Sequence, residues 1–398
     1  MRRAAIVAPV RTPVGKFLGA LKDIPAERLA AHAIAETVRR SGVDPALVED
    51  VVFAQSYANS EAPCIGRWAA LAADLPIEVP GIHIDRRCAG GLQAIVTAAM
   101  MIETGVADVV IAGGVESMSN IEYYTTAMRG GARAGNVQFY DRLERGRERS
   151  QPVERFGVIS GMIETAENVA TEMKIAREDA DAFAAESHAR AARAQSANLF
   201  DAEIVAVPVP QKKGDPLIVK SDEGVRIDTT AASLAALKPM MKSGQVTAGN
   251  SSQQNDAAAA CLIVAEDHLH KLNLKPIGFL KGWAAAGCHP ATMGLGPVPA
   301  VNKLFARLGL KWPQIDLVEL NEAFAAQVLG VLRGWDWDDR SKLNVNGGGI
   351  SLGHPIGATG ARIMVTLLHE MQRRKVKLGL ETMCVGGGQG MAAVFEGA

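Results

Sequence analysis

The sequence predicts an α/β protein made of a duplicated unit, with a segment inserted into its first half. Three observations carry this. Strand-like and helix-like patterns alternate along the chain. The order strand, glycine turn, helix, strand, Gly-Gly occurs twice. Between the two copies lies a polar, irregular stretch rich in arginine. At 398 residues the chain exceeds one ordinary core. Its 48% hydrophobic content is only 5% aromatic, so small and aliphatic side chains fill the interior. A net charge of −1 gives no global field, so neither nucleic acid nor an anionic membrane is expected as a partner.

Taken in order, Met1-Arg2-Arg3 runs into a strand-like Ala4-Ala5-Ile6-Val7-Ala8. No signal-peptide core, presequence or apolar run of membrane-spanning length is read, and the cytoplasm is the expected compartment. Val51-Val52-Phe53-Ala54 is a short buried strand. Gly81-Ile82-His83-Ile84-Asp85 leads to a turn bearing Cys88, and Leu92, Ile95, Val96, Ala99 and Met100 then recur at helical spacing. Val109-Val110-Ile111-Ala112 closes the first copy on Gly113-Gly114. From about Asn120 to Phe156 the pattern is irregular, and one long helix is expected from Glu164 to about Ala197. The second copy runs from Leu343-Asn344-Val345-Asn346 through a glycine turn bearing His354 to Thr382-Met383-Cys384-Val385-Gly386-Gly387. The expected divisions are 1–118 and 248–270 for the first half, 119–247 for the insertion, and 271–398 for the second half.

Two thiols and an imidazole on such turns point to covalent acyl chemistry. Cys88 heads a helix, where unpaired N–H groups and the dipole favour thiolate. Gly90 and Gly91 would let amides approach an oxyanion. The alternative is a buried structural cysteine, the reading taken for Cys64, Cys261 and Cys288. Pro355 biases His354 away from helix, so the imidazole could activate a thiol, or simply bond to backbone. Asn321 follows the buried run Asp316–Leu320 and could order a water or cap the next helix. Five widely spread cysteines read as reduced thiols. No Cys-x-x-Cys or His-x-x-x-His pair exists, so no metal site is expected, and the glycine clusters match neither a P-loop nor a dinucleotide fingerprint.

Eight stretches in one order resemble the thiolase family: Val10–Phe17, Arg87–Ala94, Gly113–Ser119, Thr165–Ala170, Val246–Ser252, Asn321–Ala325, and the His354 and Cys384 turns. The resemblance spans essentially the whole chain. It implies paired five-stranded mixed sheets in an αβαβα layered core. It further implies an acyl-CoA C-acyltransferase that cleaves 3-ketoacyl-CoA with CoA, or runs the reverse Claisen condensation. Cys88 would carry the acyl group, His354 would activate it, and Cys384 would move the α-proton. Asn321, through a water, and His354 would bind one thioester oxygen, and the N–H groups of Cys88 and Gly386 the other. CoA would be a substrate and no cofactor would be needed. Arg226 and Ser233 match positions near the adenine and phosphate end of CoA, and Ser252 one near pantetheine. Ala248, Gly249, Met162, Met293 and Phe324 match the pantetheine tunnel, and the Arg129–Arg155 cluster is assigned to surface or subunit contacts. A homodimer or homotetramer working in fatty acid metabolism, such as β-oxidation, is implied as well.

The chain departs from the family pattern in the nucleophile turn, where Asp85 stands for Asn and Ala89-Gly90 for Gly-Ser. Gly161 replaces a histidine common in short-chain members, which implies a roomier acyl pocket. Ser252-Gln253-Gln254-Asn255-Asp256 looks more like a degradative or aromatic-pathway member. Two other readings are a 3-ketoacyl synthase-like condensing enzyme and a non-catalytic relative that binds CoA or lipid.

Overall fold

The computed structural model describes residues 2–398. In the first half, strands β1 (Ala4–Arg11), β2 (Asp50–Ala54), β3 (Gly81–Ile84), β4 (Val109–Ser117) and β5 (Asn255–Ala265) lie in the order β1-β5-β4-β2-β3. The β1/β5 and β5/β4 pairs are antiparallel, and β4/β2 and β2/β3 are parallel. Helices α1 (Ala26–Ser41), α2 (Ile65–Ala72) and α3 (Gly90–Glu103) follow the first three strands.

Between β4 and β5 the chain makes a long excursion that holds α4 (Met162–Glu172) and α5 (Arg177–Ser196). The single helix expected over Glu164–Ala197 is therefore two. The Ile175 N–H turns back to the Ala170 carbonyl, and Lys174 adopts φ +51°, which ends the first helix. Arg11 anchors the excursion. Buried on β1, it donates to Glu203 at 2.6 Å and to Asp222 at 2.7 Å, a charge pair that holds only because both partners are in place.

The second half repeats the first. Strands β6 (Pro276–Gly287), β7 (Leu317–Leu320), β8 (Leu378–Val385) and β9 (Gln389–Gly397) lie in the order β6-β9-β8-β7, with helices α6 (Pro297–Leu308), α7 (Ala325–Trp335) and α8 (Ile356–Arg374). The fifth strand position is held by one parallel bridge, Val318 to Leu343. Antiparallel pairing of β1 with β6 joins the two sheets. Three apolar clusters mark the layers: α1 and α2 outside the first sheet, α3 and α8 in the middle, and α6 and α7 outside the second. The αβαβα order is thus observed.

The middle layer places the site, because α3 and α8 run side by side with Cys88 just before one and His354 just before the other. Small residues allow the approach. A Cβ on Gly91 would stand 2.5 Å from the Ala361 nitrogen, and one on Gly360 2.3 Å from that of Leu92. Gly90 and Gly91, expected to open the way for an oxyanion, also lie in this packing. Among the described residues, no helix is long and apolar enough to cross a membrane.

Candidate active site

Arg87–Ala89 forms a tight 3₁₀ turn at the head of α3, with Arg87 at φ +44°. That conformation costs a side-chain-bearing residue about 1–2 kcal/mol, and two hydrogen bonds hold it. The Arg87 N–H donates to Asp85 Oδ1 at 2.7 Å, and Ser56 Oγ donates to the Arg87 carbonyl at 3.0 Å. Asp85, the unusual residue of this turn, supplies an acceptor oxygen that an asparagine would also offer. The turn leaves the Cys88 sulfur against its own N–H and that of Gly386. Burial nevertheless pushes the thiol up, more than these donors, Arg87 and Arg147 pull it down. The helix-head thiolate expected from sequence is therefore corrected. Desolvation outweighs the dipole, and burial favours the thiol form of Cys88.

His354 is held at the head of α8. Its N–H donates to Asn255 Oδ1 at 2.8 Å, and Gly353, at φ +115°, has no room for a Cβ beside that same amide. Thr359 Oγ1 donates its proton to the Pro355 carbonyl at 2.9 Å, so across the 2.7 Å contact it accepts from His354 Nδ1–H. This hydrogen-bond accounting assigns the tautomer: Nε2 is unprotonated and faces Asn321 Nδ2 at 3.5 Å. Burial, then the charges of Arg362 and Arg147, lower the imidazole pKa to about 3. It therefore stays neutral at ordinary pH.

Asn321 does not cap α7, whose N-cap is Phe324. Its backbone N–H donates to the Thr382 carbonyl at 3.0 Å, which fixes the side chain beside His354. The neighbouring Glu322 organises the loop. Its carboxyl accepts from Ser187 Oγ at 2.6 Å, Asn344 Nδ2 at 2.8 Å and the Ile350 N–H at 3.2 Å. Gly348 packs so closely on it that a Cβ would sit 2.3 Å from Glu322 Cδ. Sequence reasoning missed Glu322 and Thr359. Their partners lie far apart in the sequence or within a helical turn, so neither carried a local signal.

Cys384 is fully buried among Ala166, Val246, Met293, Ala323 and Phe324. Burial and then the nearby Cys88 raise its pKa well above the ordinary thiol range. Its turn closes through Gly387 and Gly388, both at φ +87°, which aims the Gly386 N–H at Cys88.

A cleft of about 480 Å³ leads to these groups. Cys88, His354 and Gly386 line its floor, and Met162, Met293, Phe324, Ala248, Ser252 and Arg226 line its walls. Ser233 and Gly249 do not reach it. Ser233 is exposed, locked with Thr230 in the capping box of the short Ala231–Ala235 helix. Gly249 lies behind the wall, where Leu234 and Leu237 occupy the space a Cβ would take. Arg147, assigned from sequence to the surface, does line the cleft, as do Tyr57, Met118, Met240 and Met241. A hollow of similar size beside α5 and α7 contains none of the reactive groups.

These features define a class: duplicated α/β proteins with a cysteine before one central helix, a histidine before the other, and a second cysteine on a glycine hairpin. The thiolase N-terminal domain matches residues 4–267, and the thiolase C-terminal domain matches residues 274–397. An acetyl-CoA acetyltransferase of Chromobacterium violaceum is 46% identical, with 98% of this chain and 99% of that protein covered. One from Cupriavidus necator is 43% identical over the whole of both chains. Among solved structures, the Bacillus anthracis acetyl-CoA acetyltransferase superposes with a TM-score of 0.95 at 41% identity. Human mitochondrial 3-ketoacyl-CoA thiolase does so at 0.94 and 38%, and in both cases all of this chain and 99% of the other are covered. The chain belongs to the thiolase family.

Proposed function

We propose that this protein is an acyl-CoA C-acyltransferase working through an acyl-Cys88 intermediate. In the cleavage direction, His354 Nε2 takes the Cys88 proton and the sulfur attacks the 3-keto carbonyl of a 3-ketoacyl-CoA. The Cys88 and Gly386 N–H groups hold the oxygen as it becomes negative. The C2–C3 bond then breaks, and its electron pair passes to the acetyl-CoA enolate. His354 and an Asn321-bound water stabilise that enolate, and Cys384 protonates it. Free CoA then gives its thiol proton to Cys384 and takes the acyl group from Cys88, whose sulfur regains its proton from His354. CoA is thus a substrate rather than a cofactor, lying under the 119–247 excursion with Arg226, Ser252, Ala248, Met162, Met293 and Phe324 along its path.

One observation carries this reading: Cys88, a neutral His354 imidazole and Gly386 share the floor of one cleft, with the Cys384 thiol buried close to Cys88. All five cysteines are free, which suits a reducing compartment such as the cytoplasm. The free edge of β3, with Ile82 46% exposed, supports assembly with a second copy. Brief exposure to acetyl-CoA, followed by peptide mass analysis, is expected to find the acetyl group on Cys88. Acetylation elsewhere or nowhere would refute the proposal.

A further inference from the structure

The cleft is flanked by a second apolar cluster besides the one around Cys384. The Cys88 sulfur packs in a cluster with Tyr57, Met118, Leu143 and Ile356. If Cys88 carries the acyl group, the part of the cleft lined by Tyr57, Met118 and Ile356 seats the acyl chain. One of its walls is charged, because Arg147, on the short helix Arg142–Glu148, faces the cleft beside Cys88 and Tyr57.

The position of Arg147 is fixed from two sides. Tyr57 Oη donates to the Leu143 carbonyl at 3.3 Å, and the bare Gly146 backbone lies against the same ring. Past the helix, the Ser150 carbonyl packs onto Gly387 of the Cys384 turn, 2.8 Å from where a Cβ would be. The Arg147 side chain is only 21% exposed. Among the described residues it donates one side-chain hydrogen bond, to Glu144 at 2.7 Å, and Glu144 itself is 54% exposed. That pair is weak and solvent-screened. Most of the guanidinium donors have no protein partner among the described residues, and the residue lines the cleft, as Glu144 does. A second guanidinium stands on the same side, with Arg87 5.4 Å above the Tyr57 ring and bonded to the Ser56 carbonyl at 3.2 Å. The buried carboxyl of Glu116 is taken up by the N–H groups of Ser56, Tyr57 and Gly357. The phosphates of CoA cannot be what Arg147 reads, since they lie a full pantetheine arm away from the sulfur that reacts at Cys88.

We propose that the acyl chain loaded onto Cys88 ends in a carboxylate and that Arg147 binds it. The substrates are then 3-ketoacyl-CoA thioesters of dicarboxylic acids. A planar guanidinium with free donors suits a carboxylate in two-point contact, whereas a neutral chain gains nothing from it. This inference rests on the acyl-Cys88 reading.

The test compares CoA-dependent cleavage of 3-oxoadipyl-CoA with that of 3-oxohexanoyl-CoA, which has the same carbon count and a methyl end. The carboxylated probe is expected to be favoured in kcat/KM by roughly 10- to 100-fold, the scale of one charge-assisted hydrogen bond. Arg147→Gln should erase most of that ratio, and Arg147→Lys should retain part of it. Equal cleavage of both probes, or an Arg147→Gln variant that keeps the ratio, overturns the inference and leaves the acyltransferase reading standing. Cleavage of neither probe while acetyl-CoA still acylates Cys88 does the same. Cleavage of neither with no acylation of Cys88 refutes the acyltransferase reading itself.

Discussion

The two halves of the core put unlike residues at matching positions. Ala54 pairs with Gly114 at the end of β2, and Leu320 pairs with Thr382 at the end of β7. One step beyond those strand ends, Gln55 corresponds to Asn321. Two steps beyond their partners, Glu116 corresponds to Cys384. Glu116 is structural, its carboxyl accepting three backbone N–H groups that tie the Ser56 loop to the head of α8. Cys384 has no such duty and sits in a small apolar chamber beside Cys88. The strand that follows also differs. In the first half the chain leaves β4 at Ser117 and returns only at Asn255, whereas in the second half β8 and β9 are joined through Gly386–Gly388. One connection became the cover of the cleft and the other a rigid hairpin that presents an N–H. Duplication supplied two equivalent scaffolds, and divergence gave the chemistry to one end of each.

The hairpin offers the largest effect. Gly388→Ala places a Cβ 2.5 Å from the Cys288 carbonyl at a backbone φ of +87°. The Gly386 N–H should shift, and kcat should fall by roughly 10²–10³-fold, the scale for one oxyanion donor. An unchanged kcat would remove Gly386 from the chemistry. Next is Thr359→Val, which takes away the acceptor that holds His354 Nδ1–H. A fall in kcat of about 10-fold is expected from one neutral hydrogen bond, with KM little altered. The match between the halves also depends on close packing at Gly357, where a Cβ would stand 2.5 Å from the Val115 carbonyl. Gly357→Ala should cost roughly 1–3 kcal/mol of stability, read by chemical denaturation.

Much of this was legible in the chain, for definite reasons. The reactive turns stand out because Cys88, His354 and Cys384 each sit where a buried strand pattern meets glycine, and the order of elements shows the duplication. The partners that orient them were less visible. Thr359 acts through a helical turn and Glu322 through three contacts far apart in sequence, so neither leaves a local pattern. Arg147 looked like one more exposed arginine because Tyr57 and Gly387, which pack on Gly146 and Ser150 to either side of it, come from distant parts of the chain. The resting state of Cys88 was misjudged because helix position is local, whereas burial is decided by the whole fold.

The smallest effect concerns Glu116, whose pKa burial raises to about 7 from an ordinary 4.5. The folded state therefore holds this proton more tightly than the unfolded chain does. That contribution to stability is full below about pH 4.5 and is lost as pH rises through about 7. Glu116→Gln should flatten the pH dependence of stability across that window, and an unchanged slope would assign it to other groups.

The division of labour between the two thiols is tested most directly in Cys384→Ala. Two partial reactions are measured: exchange of the acetyl group between acetyl-CoA and free CoA, which needs only Cys88 and His354, and exchange of the acetyl α-protons with D₂O, which needs the second thiol. Acetyl exchange is expected to persist while α-proton exchange falls by about 10²-fold or more. Loss of both together, or survival of both, would contradict the assignment of acyl transfer to Cys88 and proton transfer to Cys384.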